Sequence, residues 1–187
     1  MKRTFIAIKI NPGEKLRKLI KELKAGLAGS KIKWVETDNI HITLAFIGNT
    51  DEQDIETIKQ ILESACTTHK PFPLVFQGID LFRSLKDPKV IFLEMMPSEA
   101  LDKQREDICG RLSDIDLFSD SRPFRPHLTL GRPKYIEKKN ILPEIISDYR
   151  DITIESTMID KVTFYESILT QKGPIYKVIG ENKLAGG

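Results

Sequence analysis

Apolar positions recur along this chain at both helical and strand spacing, and the alternation between the two lays out the elements. Thr4 to Ile10 is β-rich and apolar, which predicts a buried first strand. Asn11-Pro12-Gly13-Glu14 then reads as a helix start, with a capping Asn, Pro at the first position and Glu three residues after the cap. Leu16, Leu19, Ile20, Leu23 and Leu27 follow at helical spacing, and Gly29 is the expected terminator. Lys31 to Val35 is a short extended piece that holds the single Trp, Trp34, and Ile40 to Ile47 is a further strand. Thr50 is placed to cap a second helix, with Gln53 in the reciprocal position and Ile55, Ile58, Leu62 and Cys66 as its apolar stripe. Phe72 to Phe82 and Val90 to Met95 are extended runs separated by a turn at Asp87-Pro88. Ser98 caps a third helix with Leu101, Ile108 and Leu112 on its buried face. A basic approach, Arg122 to Pro126, leads into a strand from His127 to Gly131. Ile141 to Ile146 reads as a short helix, and Ile152 to Met158, Lys161 to Ile168 and Pro174 to Ile179 as three closing strands.

Helices are too few for a doubly wound parallel sheet, and many strands are joined by short turns. This predicts an α+β fold with mainly antiparallel pairing. Two strands carry nearly the same text, His41-Ile42-Thr43-Leu44 and His127-Leu128-Thr129-Leu130, 86 residues apart in a chain of 187. The spacing predicts a pseudo-duplicated architecture with one motif per lobe. Residues 1–183 are expected to form a single bilobal domain, and 184–187 a flexible tail.

Composition narrows the class. The formal net charge is +2, from 29 basic and 27 acidic residues. That balance argues against coating long nucleic acid by counterion release but leaves room for a local basic cleft. Two cysteines, Cys66 and Cys109, are too few for a disulfide framework, so free thiols in a reducing cytoplasm are expected. The apolar run after Met1 is broken at Lys9, too short for a signal peptide, and no stretch reaches the length of a membrane span.

In a strand, side chains at i and i+2 share a face. His41 with Thr43, and His127 with Thr129, therefore make two imidazole–hydroxyl couples, while Ile42, Leu44, Leu128 and Leu130 face the core. Such couples suit proton transfer around a phosphate. Imidazole titrates near neutrality, so one neutral and one charged ring form a base–acid pair. Each hydroxyl can donate to a non-bridging phosphate oxygen. One His-x-Thr in a strand is mostly chance, because Thr favours strands; two copies in matching apolar runs are a signature. Locally the two motifs look alike, so which ring is the acid stays open on this reading. His69, before Lys70-Pro71 at a helix end, is expected to be exposed or capping. Neither motif contains Cys, Asp or Glu to complete a metal site, so no metal or cofactor is expected. Arg122, Arg125 and Arg132 surround the second motif as candidate phosphate clamps. Strict alternation turns Arg132 away from His127 unless Gly131 or Pro133 bends the strand, and it assigns Phe46 to the core on the same grounds. Trp34, Phe82 and Phe124 are aromatics able to stack on a base.

These residues resemble the two-histidine phosphoesterase superfamily, and within it the RNA 2′,3′-cyclic phosphodiesterases, also called 2′-5′ RNA ligases. The resemblance rests on Arg3 to Ile8, Lys33-Trp34-Val35, Asn39 to Gly48, Pro126 to Arg132, Glu166 to Leu169, Gly173-Pro174 and Tyr176. It implies two pseudo-symmetric lobes whose antiparallel sheets line a central cleft, with helices outside. It also implies metal-independent opening of a terminal 2′,3′-cyclic phosphate on RNA 3′ ends, or on nucleoside 2′,3′-cyclic phosphates, to a 2′-phosphomonoester. By the family pattern His41 is the proton donor, His127 the proton acceptor, and Thr43 and Thr129 hold the phosphate, with Arg132 as a further contact. Gly131 stands where the pattern often has Ala. No membrane partner is implied, and a monomer is expected. The competing expectations are 2′-5′ RNA ligation as the main activity, and a non-catalytic module that binds a nucleotide or RNA end.

Overall fold

The computed structural model describes residues 1–120, 123–137, 140–171 and 173–185. Among the described residues nine strands and four α-helices run in the order β1 (Lys2–Lys9), α1 (Glu14–Gly26), β2 (Lys31–Trp34), β3 (His41–Thr50), α2 (Glu52–Thr68), β4 (Phe72–Phe82), β5 (Val90–Met95), α3 (Glu99–Ser113), β6 (Leu128–Tyr135), α4 (Ile141–Tyr149), β7 (Thr153–Ile159), β8 (Lys161–Leu169) and β9 (Pro174–Lys183). The α+β expectation holds. The strands form two antiparallel sheets, one in the order β3-β1-β8-β9 and the other β2-β6-β5-β4-β7.

Helices α2 and α3 pack together and against strands of the four-stranded sheet; α1 and α4 pack against the other sheet at β7 and β4. Their apolar stripes explain this. Ile58, Leu62, Ile108 and Leu112 are buried in one continuous core with Ile6, Ile8, Ile42 and Leu44, and the same core holds Leu16, Leu19, Leu23, Leu74, Phe76, Leu93, Leu128 and Leu130. On the opposite face of the four-stranded sheet Phe5, Ala7 and Tyr165 form a small separate cluster with Tyr176 against it. The motif strands β3 and β6 belong to different sheets, yet their Cα atoms approach within 8 Å.

Two helix starts differ from the local reading. The cap position of α1 is Gly13, not Asn11, and its N–H donates to Glu155 Oε1 (2.8 Å) while that of Leu16 donates to Glu155 Oε2 (3.3 Å). A carboxylate from β7 thus satisfies the helix end that Asn11 was expected to serve. The cap position of α2 is Asp51, because the Thr50 hydroxyl is buried and bonded to Thr4 Oγ1 and the Gly48 carbonyl. Ser98 does cap α3, accepting from Leu101 N–H at 3.3 Å. The chain does not loosen at 184: Leu184 is buried, its N–H donates to Asp160 O, and Ala185 N–H reaches the carbonyls of Cys66 and His69. Gly186 and Gly187 lie outside the described residues, as does Arg122. Cys66 and Cys109 are buried free thiols. Among the described residues no helix is long and apolar enough to cross a membrane.

Candidate active site

A cleft of about 1200 Å³ collects both motifs: His41, Thr43, His127, Thr129 and Arg132 all line it. The core-facing partners Ile42, Leu44, Leu128 and Leu130 are buried, as alternation requires.

Both imidazoles are held by the same local device. His41 Nδ1 lies 2.6 Å from the carbonyl of Asn39, and His127 Nδ1 lies 2.8 Å from that of Arg125. A carbonyl only accepts, so Nδ1 carries the hydrogen in each ring and Nε2 is left to exchange protons in the cleft. Aromatic rings fix the imidazole planes. His41 packs against Phe5 (5.1 Å between centroids) and edge-on to Tyr176 (5.2 Å). His127 stands edge-on to Phe82 (4.7 Å) and Phe92 (5.4 Å). Burial holds the pKa of both rings below the ordinary histidine value, against the opposing pull of the carbonyl hydrogen bonds. The Arg132 charge pushes both further down; His127 adds to this at His41, and Arg125 at His127.

An extra residue directly after each motif threonine re-aims the side chains that follow. Ala7 pairs with Thr43 and Ile6 with Ala45, so Leu44 is inserted on β3. Phe92 pairs with Thr129 and Ile91 with Gly131, so Leu130 is inserted on β6. Each bulge inverts the parity of the residues past it. Phe46, expected in the core, pairs instead with Phe5, is 46% exposed, lines the cleft and carries Arg3 over its ring at 4.9 Å. Arg132 reaches the cleft by the same step. The carbonyls freed by the bulges are satisfied: Arg105 Nε donates to Leu44 O (3.2 Å) and Val35 N–H to Leu130 O (2.9 Å).

Other expected residues go elsewhere. Arg125 is not among the cleft-lining residues. Its guanidinium donates to Asp80 Oδ2 (2.7 Å) and Glu94 Oε1 (3.2 Å) and lies over Phe82 and Phe92 at 5.1 Å each. Those are the rings that flank His127, and Arg125 supplies the carbonyl that holds it, so this arginine positions His127. The alternation Asp80-x-Phe82 and Phe92-x-Glu94 puts each acid beside its ring on one sheet face, a signal readable in the sequence. Trp34 lines the cleft, whereas Phe124 stacks under Arg105 (4.5 Å) away from it. His69 is half-buried and joins Asp107 on α3 (3.1 Å), a strut between helices rather than an exposed group. Among the described residues no cluster of three or more His, Cys, Asp or Glu side chains is placed to hold a metal ion.

Charge balance around His127 gives a first prediction. Arg125 from its own segment, Arg132 from β6 and His41 from β3 bring charge to His127, and Asp80 from β4 and Glu94 from β5 pair with Arg125. Arg125→Leu removes a positive neighbour and is expected to raise the His127 pKa; Asp80→Asn leaves Arg125 less neutralised and is expected to lower it. Titration of His127 by NMR in the two variants should show shifts of opposite sign, whereas loss of packing alone would not order them this way.

A profile of the family described as "LigT like Phosphoesterase" matches residues 7–92 and 95–176. A Thermotoga maritima protein named RNA 2′,3′-cyclic phosphodiesterase is 36% identical, with 99% of this chain and 97% of the relative covered. A Methanocaldococcus jannaschii protein of the same name is 32% identical, with 96% and 99% covered. Among solved structures, a Thermus thermophilus protein is similar in fold, with a TM-score of 0.82, 21% identity and 98% of each chain covered. E. coli LigT complexed with 3′-AMP gives a TM-score of 0.74 at 23% identity, again over 98% of each chain.

Proposed function

The chain belongs to the LigT-like phosphoesterase family, and from that premise we propose that it hydrolyses the 2′,3′-cyclic phosphate at RNA 3′ ends to a 2′-phosphomonoester. The observation that carries the reading is the matched pair of imidazoles, each with Nδ1 tied to the carbonyl two residues upstream, in one cleft.

In this mechanism His127 enters neutral and its Nε2 takes a proton from water as the water oxygen attacks phosphorus. His41 enters protonated, and its Nε2–H passes a proton to the departing 3′ oxygen. One P–O bond forms, one breaks, and the proton lost by water is balanced by the proton gained at the 3′ hydroxyl. Thr43 and Thr129 donate to the non-bridging oxygens, and the Arg132 guanidinium stabilises the charge that grows on them. No step calls on a metal. The polarity of the two histidines follows the family pattern. A monomer in a reducing compartment fits the reading, since one chain supplies every residue named and both thiols are free.

Product analysis tests this. Incubation with a nucleoside 2′,3′-cyclic phosphate should yield the nucleoside 2′-phosphate, at a rate unchanged by EDTA. A 3′-phosphate product would reverse the geometry of attack. Loss of activity with chelator would require a metal, and tight nucleotide binding without turnover would leave a binding module.

A further inference from the structure

Lys33 on β2 stands directly opposite Arg132 on β6, and both line the cleft. Like charges facing each other across an antiparallel pair cost stability. Among the described residues neither Lys33 nor its cleft neighbour Lys24 has a carboxylate within ion-pair distance. The described cleft lining carries Arg3, Lys24, Lys33 and Arg132 against a single acid, Glu36. This is far from the near-balance of the whole chain, whose net charge is +2. Such an uncompensated set is relieved by a bound anion, and a terminal cyclic phosphate, which carries one negative charge, does not by itself balance four cations against one acid.

The basic surface does not stop at the cleft edge. Arg17, Lys21 and Lys24 recur at i, i+4 and i+7 on α1, which places them on one stripe spanning roughly 10 Å. All three are exposed. Lys24 lines the cleft, while Arg17 and Lys21 line a second concavity together with Pro12, Gly13, Glu14 and Lys18. Between Glu14 and Trp34 seven residues are basic and two acidic. The neighbouring acid Glu22 is engaged elsewhere, with Lys18 and the Tyr149 hydroxyl.

We propose that the cleft is built for an oligoribonucleotide end rather than a free mononucleotide: the phosphodiester preceding the cyclic phosphate rests on Lys33 and Lys24, and the upstream strand leaves over Lys21 and Arg17 of α1. The inference rests on the cyclic phosphodiesterase reading and adds a direction and a minimum length to its substrate. The strand is recognised through its backbone charge, so base identity along α1 is not read.

The test compares kcat/KM for a nucleoside 2′,3′-cyclic phosphate, a dinucleotide ending in the cyclic phosphate, and a ten-nucleotide strand with the same end. The native protein should favour the dinucleotide over the mononucleotide by about tenfold or more, the scale of one charge-assisted contact. In Lys24→Gln/Lys33→Gln that ratio should fall toward one. In Arg17→Gln/Lys21→Gln the dinucleotide ratio should persist, the ten-nucleotide strand should lose its added advantage, and the salt dependence for that strand should become shallower. A native ratio of one, or a ratio that survives Lys24→Gln/Lys33→Gln, would overturn the proposal while leaving the hydrolase reading intact. Failure to open any cyclic phosphate would instead remove the reading on which it stands.

Discussion

Replacing either His41 or His127 with alanine is expected to lower kcat by roughly 10²–10⁴-fold, the usual contribution of a positioned acid or base. The double variant should fall about as far as the worse single one, because in the proposed mechanism the two rings act as one unit. Folding should survive, since both side chains are only half-buried and face the cleft rather than the core; matched circular dichroism and thermal midpoints would verify this. In the proposed mechanism the same two groups set the pH dependence, because one ring must be charged and the other neutral, which gives a bell. Burial and the Arg132 charge hold both rings below the ordinary value, so in the free protein the charged form is lost at lower pH than usual. The optimum of kcat/KM, which reports the free enzyme, should therefore lie on the acid side of about 6.5. A bound phosphate anion draws both pKa values upward, so the kcat profile should sit at higher pH than that of kcat/KM.

Arg132→Leu is expected to reduce kcat/KM by about 10²–10³-fold, the scale for removing one preorganised donor to a developing oxyanion. Arg132→Lys should recover part of the loss, as a point charge without the planar fork. The size of the effect follows from position: Arg132 is the cation whose field reaches both histidines. A second readout separates the charge from packing. Removing that charge relieves the depression of both rings, so in Arg132→Leu both limbs of the kcat/KM bell should move to higher pH. A rate loss with an unmoved bell would assign Arg132 to packing alone.

Much of this site can be read along the chain because the chemistry is local. Alternation alone puts His41 with Thr43 and His127 with Thr129, and buries the four intervening residues. The runs Phe72–Phe82 and Val90–Met95 are bounded by turn residues and are strands β4 and β5 over those spans. The features that escape a local reading are those that depend on a partner. Simple alternation carries no marker for the inserted Leu44 and Leu130, so it sends Phe46 to the core and leaves Arg132 on the wrong face. Nothing around Asn11 signals that Glu155, far along the chain on β7, closes the helix end. The Arg125 guanidinium reads as a phosphate clamp until Asp80 and Glu94 arrive from β4 and β5. The tail from residue 184 reads as loose because its anchoring depends on the Asp160 carbonyl and on the end of α2.

In the proposed mechanism two imidazoles work from opposite flanks of one phosphorus, with His41 on the leaving oxygen and His127 on water. A cyclic phosphate whose 3′ bridging oxygen is replaced by sulfur addresses this most directly, because a thiolate leaves without being protonated. His41→Ala is expected to open the thio-substrate at close to the native rate, while His127→Ala stays crippled on both substrates. Rescue of His127→Ala instead, or of neither variant, would contradict the mechanism.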